Sequence, residues 1–287
     1  MRSPEPIGCC LTIAGSDSGG NAGVQADLRA FHAYGVHGCT VLTALTAQNP
    51  FGVAAVVPVA ASFVAAQLDA VLDVYSIRAL KTGMLAEAAT IEAVAERLSS
   101  RSEVAKVVDP VMVATSGARL TGAEALKALK AKLLPLATLV TPNLPEAEVL
   151  CGHDVDLLRA RAGDAAHALE LARELYERFG CAVLVKGGHG ENAAAVDVLY
   201  DGRSPRSFSL PWVSNPVSTH GTGCTLSAAL AAELALGSDL AAAVEGAKLH
   251  VHAAIERSYQ VGPDCGVLGF VCDADSCSRC EHLKANG

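Results

Sequence analysis

Aromatic side chains make up only 4% of the 287 residues, and Trp occurs once. A core without large rings must rest on Ala, Val, Leu and Gly, which suits parallel strands covered by helices on both faces. Basic residues are scarce as well, with 22 Lys and Arg against 30 Asp and Glu and a net charge of −8. This argues against nucleic acid as a partner, because phosphate backbones are bound through clustered Lys and Arg. Any negative ligand must be met by local devices. No run reaches the roughly 18 uncharged apolar residues of a membrane span. No apolar segment follows Met1-Arg2-Ser3-Pro4-Glu5-Pro6 in the manner of a secretory signal. The chain is therefore read as cytoplasmic, with no membrane partner. No low-complexity linker divides it, so 1–287 is expected to be a single α/β domain with its core at about 9–260 and an irregular C-terminal tail over 261–287.

Two familiar phosphate motifs are missing. Gly15 and Gly20 have P-loop spacing, but Asn21-Ala22 stands where Lys-Ser/Thr would carry the chemistry, and no Gly-x-Gly-x-x-Gly occurs. Cysteine, in contrast, is plentiful at 10, dispersed through an apolar chain as reduced core residues are. In the tail, Cys272, Cys277, Cys280 and His282 contain a single Cys-x-x-Cys pair with irregular remaining spacing, which favours a polar terminus over a zinc site.

What the chain does have is Ser218-Thr219-His220-Gly221-Thr222-Gly223-Cys224-Thr225 opening a long run of small apolar residues. A glycine pair at the start of a helix leaves backbone N–H groups free at the positive end of its dipole, which makes an anion site. Cys224 in the first turn is either a thiol that the dipole biases toward thiolate, and so a proton acceptor, or a small buried residue of a packed helix.

Strands are predicted at Cys9–Ala14, Cys39–Leu45, Ile77–Thr82, Val104–Val108, Ala137–Thr141 and Ala182–Lys186. Helices are predicted between them, including 24–34, 60–74, 86–99, 124–134 and 164–179, and a last one over 240–258. Val196–Tyr200 and Arg206–Trp212, around Asp201-Gly202, read as an antiparallel hairpin. The alternation implies an open, mostly parallel sheet with helices on both faces and a small antiparallel addition near one edge. The polar clusters all follow strands, on the side where such sheets bind ligands. Asp27, one turn into its helix, reads by itself as a solvated charge. Gln48 reads either as an amide facing a heteroaromatic ring or as a turn cap before Pro50.

Taken together, Gly15-Ser16-Asp17, Gln25-Ala26-Asp27, Thr43 to Asn49, Lys81-Thr82-Gly83-Met84, Asp109-Pro110-Val111-Met112, Thr141 to Glu146, Lys186-Gly187-Gly188-His189 and His220 to Cys224 closely resemble the hydroxymethylpyrimidine/phosphomethylpyrimidine kinases of the ribokinase-like superfamily. The likeness runs in order from about Leu11 to Ser258. It implies a three-layer α/β/α fold, ATP and Mg2+, a small-molecule substrate and a homodimer. The implied reaction is stepwise phosphorylation of 4-amino-5-hydroxymethyl-2-methylpyrimidine to its diphosphate, for thiamine biosynthesis.

The resemblance also implies roles. The amides of Gly221, Thr222, Gly223 and Cys224 stabilise the migrating phosphoryl, and Cys224 is the base toward the substrate hydroxyl. Asp109 and Glu146 hold the metal. Lys186 and Asn143 contact ATP phosphates, together with Gly221 and Gly223. Gln48, Asp27, Gly15, Ala22, Met84 and Val111 receive the pyrimidine. His220 is expected to be a backbone partner. The chain departs from the family at Asn21, Ala114 and Pro216. The alternatives are a pyridoxal or pyridoxine kinase of the same superfamily and an inactive pyrimidine-binding regulator. A fusion with a thiamine-phosphate synthase is not expected, since little chain follows Ser258.

Overall fold

Strand β1 (Cys9–Asp17) shows why this sheet is covered on both faces. Side chains alternate along a strand, so Cys9, Leu11 and Ile13 enter one apolar layer while Cys10 enters the other. The same division recurs at Val108 and Val107, at Val140 and Leu139, and at Val183 and Leu184. The computed structural model describes residues 8–113, 120–153, 165–187 and 194–270.

From β1 the chain runs through α1 (Gly23–Ala33), β2 (His37–Asn49), β3 (Gly52–Pro58), α2 (Ala61–Leu72), β4 (Ile77–Thr82), α3 (Ala88–Ser99) and β5 (Ala105–Val108). It continues through α4 (Ala123–Ala128), β6 (Leu139–Val140), α5 (Leu144–Cys151), α6 (Ala165–Phe179), β7 (Ala182–Val185), β8 (Ala194–Tyr200) and β9 (Arg206–Pro211). Helices α7 (Thr222–Ala235) and α8 (Leu240–Glu256) follow, then a hairpin of β10 (Tyr259–Gly262) and β11 (Cys265–Val267). The nine-stranded sheet has the order β3-β2-β1-β4-β5-β6-β7-β8-β9. Its strands from β2 to β7 are parallel, and β3 at one end and β8 and β9 at the other are antiparallel. Helices α1, α7 and α8 pack on one face, and α2 to α6 on the other. This is the expected three-layer α/β/α fold.

Three differences from the sequence reading stand out. The antiparallel addition occurs at both edges, because β2 continues through the polar segment to Asn49 and turns back as β3. Asn49 makes that turn by accepting the N–H groups of Phe51 and Gly52. The helix predicted over 124–134 is α-helical only to Ala128 and passes through a π turn, Leu129–Leu133, and a 3-10 turn, Leu134–Leu136. Past 261, where an irregular tail is predicted, Val267 and Leu268 are buried and the Gly269 N–H bonds the Ala254 carbonyl.

Helix α7 is apolar all round, with Ala228 to Ala232 fully buried, so it lies between the sheet and its neighbours α1 and α8. Its small side chains bring its N-terminus close against the strands. Replacing Leu230 by Ala in this packing should lower the unfolding free energy by about 2–5 kcal/mol, read from urea melts. A change near zero would show that the layer around α7 collapses to fill the space.

Candidate active site

The loop between β1 and α1 is organised by a side chain the sequence reading quotes without a role. The Asp17 carboxylate accepts the backbone N–H groups of Gly19, Asn21 and Ala22 at 2.8 to 2.9 Å. The Asp17 N–H in turn donates to Gln25 Oε1, and Gln25 Nε2 donates to Ser16 Oγ. This loop spends its amides on its own acid, which is why it resembles a P-loop in spacing but not in chemistry.

At the other glycine loop the backbone amides have no such carboxylate partner among the described residues. Gly221, the N-cap of α7, has φ 87° and offers no side chain to cap the helix. A Cβ there would run into the Asn21 carbonyl, so only glycine fits. The first-turn N–H groups of Thr222, Gly223 and Cys224 therefore point outward at the dipole's positive end. The α-carbon of Gly223 faces Lys186 Nζ and Asp109 Oδ2, at 3.7 and 4.0 Å from where a side chain would start.

Asp109 follows β5 directly and is only 3% exposed. Lys186 Nζ donates to its Oδ1 at 3.0 Å, Thr141 Oγ1 lies 3.4 Å from the same oxygen, and Ser227 Oγ is 3.3 Å from Oδ2. Burial works against the charge on Lys186, but the carboxylates of Asp109 and Glu146 outweigh it and raise its pKa. Asn143 and Glu146 form a reciprocal capping box on α5, with Glu146 Oε2 accepting the Asn143 N–H at 2.8 Å. Burial raises the Glu146 pKa; Lys186 opposes the rise and Asp109 adds to it. Two neighbouring buried carboxylates beside one lysine are hard oxygen donors of the kind that suits Mg2+, so the residues fit the metal.

Beneath the α7 N-terminus lies a charge pair. Lys81 Nζ is 2.8 Å from both carboxylate oxygens of Asp27, Thr12 Oγ1 donates to Asp27 Oδ2 at 2.6 Å, and both ionic side chains are fully buried. Burial disfavours the Lys81 ammonium, but Asp27 overrides it and holds the pKa above its ordinary value. This corrects two readings of Asp27, which is neither a solvated charge nor a lining residue. It has no accessible surface and reaches the site through Lys81. The Cys224 sulfur feels that pair. Burial raises the thiol pKa and the charges of Asp27 and Asp109 add to the rise, while the Lys81 charge and the Gly23 N–H pull it down. The bias toward thiolate expected from the helix dipole is thus overturned by desolvation, and the resting group is a thiol.

Among the residues assigned to the pyrimidine, Gly15 faces Met84, whose Sδ lies 3.5 Å from where a Gly15 side chain would begin. The Met84 carbonyl accepts Thr43 Oγ1. Ala22 and Val111 are half-buried, and the Val111 carbonyl accepts Thr121 Oγ1. Gln48 sits at a bulge between β2 and β3, its Oε1 accepting from Thr46 Oγ1 at 3.3 Å. Turn capping belongs to Asn49 instead. His220 is not a backbone partner through its ring: both ring nitrogens are buried without a partner among the described residues. Burial also lowers its pKa. Asn215, before the unusual Pro216, takes φ 52°, a left-handed conformation that Asn tolerates. Ala114, Gly188, His189 and the tail Cys272, Cys277, Cys280 and His282 lie outside the described residues.

Asp17 and Lys81 are the residues that sequence reasoning missed. Lys81, like Lys186, stands at the end of a strand in a chain with only 22 basic residues, and that placement is the signal that could have found it.

Residues 17–269 match the family model described as phosphomethylpyrimidine kinase. The chain is 49% identical over 248 residues to a hydroxymethylpyrimidine/phosphomethylpyrimidine kinase of Rhizobium meliloti, covering 86% of this chain and 90% of that one. It is 44% identical over 274 residues to the thiamine biosynthesis bifunctional protein ThiED of Geobacter sulfurreducens, covering 96% of this chain. It spans about half of that relative, 54% of its length. An ADP complex of Bacillus subtilis pyridoxal kinase superposes with a TM-score of 0.82 at 36% identity, over 92% of this chain and 98% of the other. With its glycine-opened helix, strand-end carboxylate and lysines in place and most of its length matched, this chain belongs to the phosphomethylpyrimidine kinase family.

Proposed function

We propose that the chain phosphorylates 4-amino-5-hydroxymethyl-2-methylpyrimidine and then its monophosphate, from ATP and Mg2+, giving the diphosphate used in thiamine biosynthesis. The observation that carries the reading is the meeting of uncapped α7 amides, Cys224, Lys186 and Asp109 at one edge of the sheet. Phosphoryl transfer needs little covalent help and much positioning and charge stabilisation. The amides of Gly221 to Cys224 supply fixed donors to the phosphoryl in flight, and Lys186 adds a cation beside them. Asp109 and Glu146 would hold Mg2+, which neutralises the triphosphate when bound, while Asn143 keeps Glu146 in place and contacts phosphate.

Cys224 takes the hydroxymethyl proton. Its resting proton must leave first, and Lys81 lowers the cost of that loss, with Asp27 keeping Lys81 in place. Gly15, Ala22, Met84 and Val111 would flank the ring, and Gln48 would read its amino edge with one donor and one acceptor. A second reading, phosphorylation of pyridoxal, draws on the likeness to the Bacillus subtilis kinase. A homodimer belongs to the proposal too, supported by Leu45 and Val57, paired and exposed on one face of β2 and β3, and by the exposed Phe51 at the turn between the strands. So does a cytoplasmic location; among the described residues no helix is long and apolar enough to cross a membrane.

Three measurements test these assignments. Cys224→Ala should lower kcat by about 10²–10⁴-fold with nucleotide affinity nearly unchanged, and full activity in a coupled ADP assay would remove the thiol from the mechanism. Because burial keeps the thiol protonated, kcat/KM should rise as pH increases toward the thiol range. Lys81→Met takes away the charge that lowers the thiol pKa, so this limb should move to higher pH; an unmoved limb would show that Lys81 does not act on Cys224. Incubation with each alcohol and MgATP, with products resolved by mass, should give the pyrimidine mono- and diphosphate at a higher kcat/KM than pyridoxal phosphate. The reverse preference would favour the second reading.

A further inference from the structure

At the end of the sheet away from these groups, β1 and β2 begin side by side and parallel, with Cys9 opposite His37 and Leu11 opposite Cys39. His37 and Cys39 are two residues apart and share a face of β2, and Cys9 points to the same side from β1. The three donor atoms lie within 4.8 Å of one another. Cys9 Sγ and Cys39 Sγ are 3.7 Å apart and each residue is 7% exposed. Two thiolates about 2.3 Å from one tetrahedral zinc stand about 3.8 Å apart, so the sulfurs already have the separation of a tetrahedron's edge. A disulfide would have to draw them to about 2.05 Å. The His37 ring is held by stacking on Tyr75, with centroids 5.6 Å apart and 13° between planes.

We propose that Cys9, His37 and Cys39 form a site for one thiophilic divalent cation of the zinc class. The fourth position is open to water on the side of the exposed His37. On binding, two S–H bonds break, two metal–sulfur bonds form and two protons leave; nothing is oxidised. Soft sulfur and imidazole donors separate this site from the oxygen donors Asp109 and Glu146, so the two sites select different metals. The bound ion would clip together the starts of the two strands whose far ends carry Asp17 and Gln48. Without it, the same geometry supports an S–H to S hydrogen bond.

The test titrates the full chain, reduced and stripped of metal, with Co2+, following the visible and near-ultraviolet bands of thiolate-bound tetrahedral cobalt. One equivalent should bind, Zn2+ should displace it, and Cys9→Ser and Cys39→Ser should each abolish the two-thiolate spectrum. Because the cysteines are packed in the core, the exposed His37→Ala provides a variant whose folding is not at stake. It should weaken cobalt binding several-fold and reduce the rise in Tm that Zn2+ gives the parent chain. The tail carries Cys277 and Cys280, so a Cys277→Ser/Cys280→Ser variant should keep the spectrum. Absence of thiolate bands in the parent chain would overturn the site. So would bands that survive Cys9→Ser but vanish in the tail variant, or affinity unchanged in His37→Ala.

Discussion

The buried ion pair of Lys81 and Asp27 is the constraint on which the arrangement around Cys224 depends. Removing two ions from water costs several kcal/mol each, and their attraction recovers this only when the remaining polar valences are satisfied. Here Asp27 receives both contacts from Lys81 and a third from Thr12, tying β4, α1 and β1 to one point. A pair of this kind is a poor source of stability, since well-packed apolar side chains would serve as well. What apolar residues cannot supply is a fixed positive charge beside a desolvated sulfur. The two members of the pair act on Cys224 in opposite directions, Lys81 lowering its pKa and Asp27 raising it.

The same economy governs the polar groups across the carboxyl edge of the sheet. Asp17 ends β1, Lys81 and Thr82 end β4, Asp109 follows β5, Thr141 follows β6 and Lys186 follows β7. Parallel strands bring all these ends to one side, where helix N-termini also point. Most of the acids and bases there neutralise one another: Asp17 holds a loop, Asp109 holds Lys186, and Glu146 caps α5. The first turn of α7 has no such partner, because a glycine in a left-handed conformation gives it no side-chain cap. It is a place where incoming negative charge can be met locally, which suits a chain whose own net charge is −8.

Much of the fold was legible because the chain is apolar with few rings and alternates strand and helix along its length. The parallel strands follow from short apolar runs ending in polar clusters. The extent of β2 was not legible. Thr46, Gln48 and Asn49 look like loop, and only pairing with β3 makes them strand. The π turn after α4 and the hairpin after α8 were likewise set by packing against the rest of the molecule and leave no periodic mark. In the site, spacing located the glycine-opened helix, the strand-end carboxylate and Lys186. It could not show that Asp27 is fully buried or that Cys224 is a resting thiol, because both depend on what surrounds them.

Residue order along the chain thus determined the layer architecture and the family, through hydrophobic alternation and through glycines and acids at the ends of strands. Those are local properties, carried by spacing. The ionic partners, the protonation of Cys224, the choice of Asp17 to hold a loop and the meeting of Cys9, His37 and Cys39 were decided only by the tertiary structure. Desolvation and charge act through space between residues as far apart in sequence as Asp27 and Lys81, and no spacing rule encodes that distance.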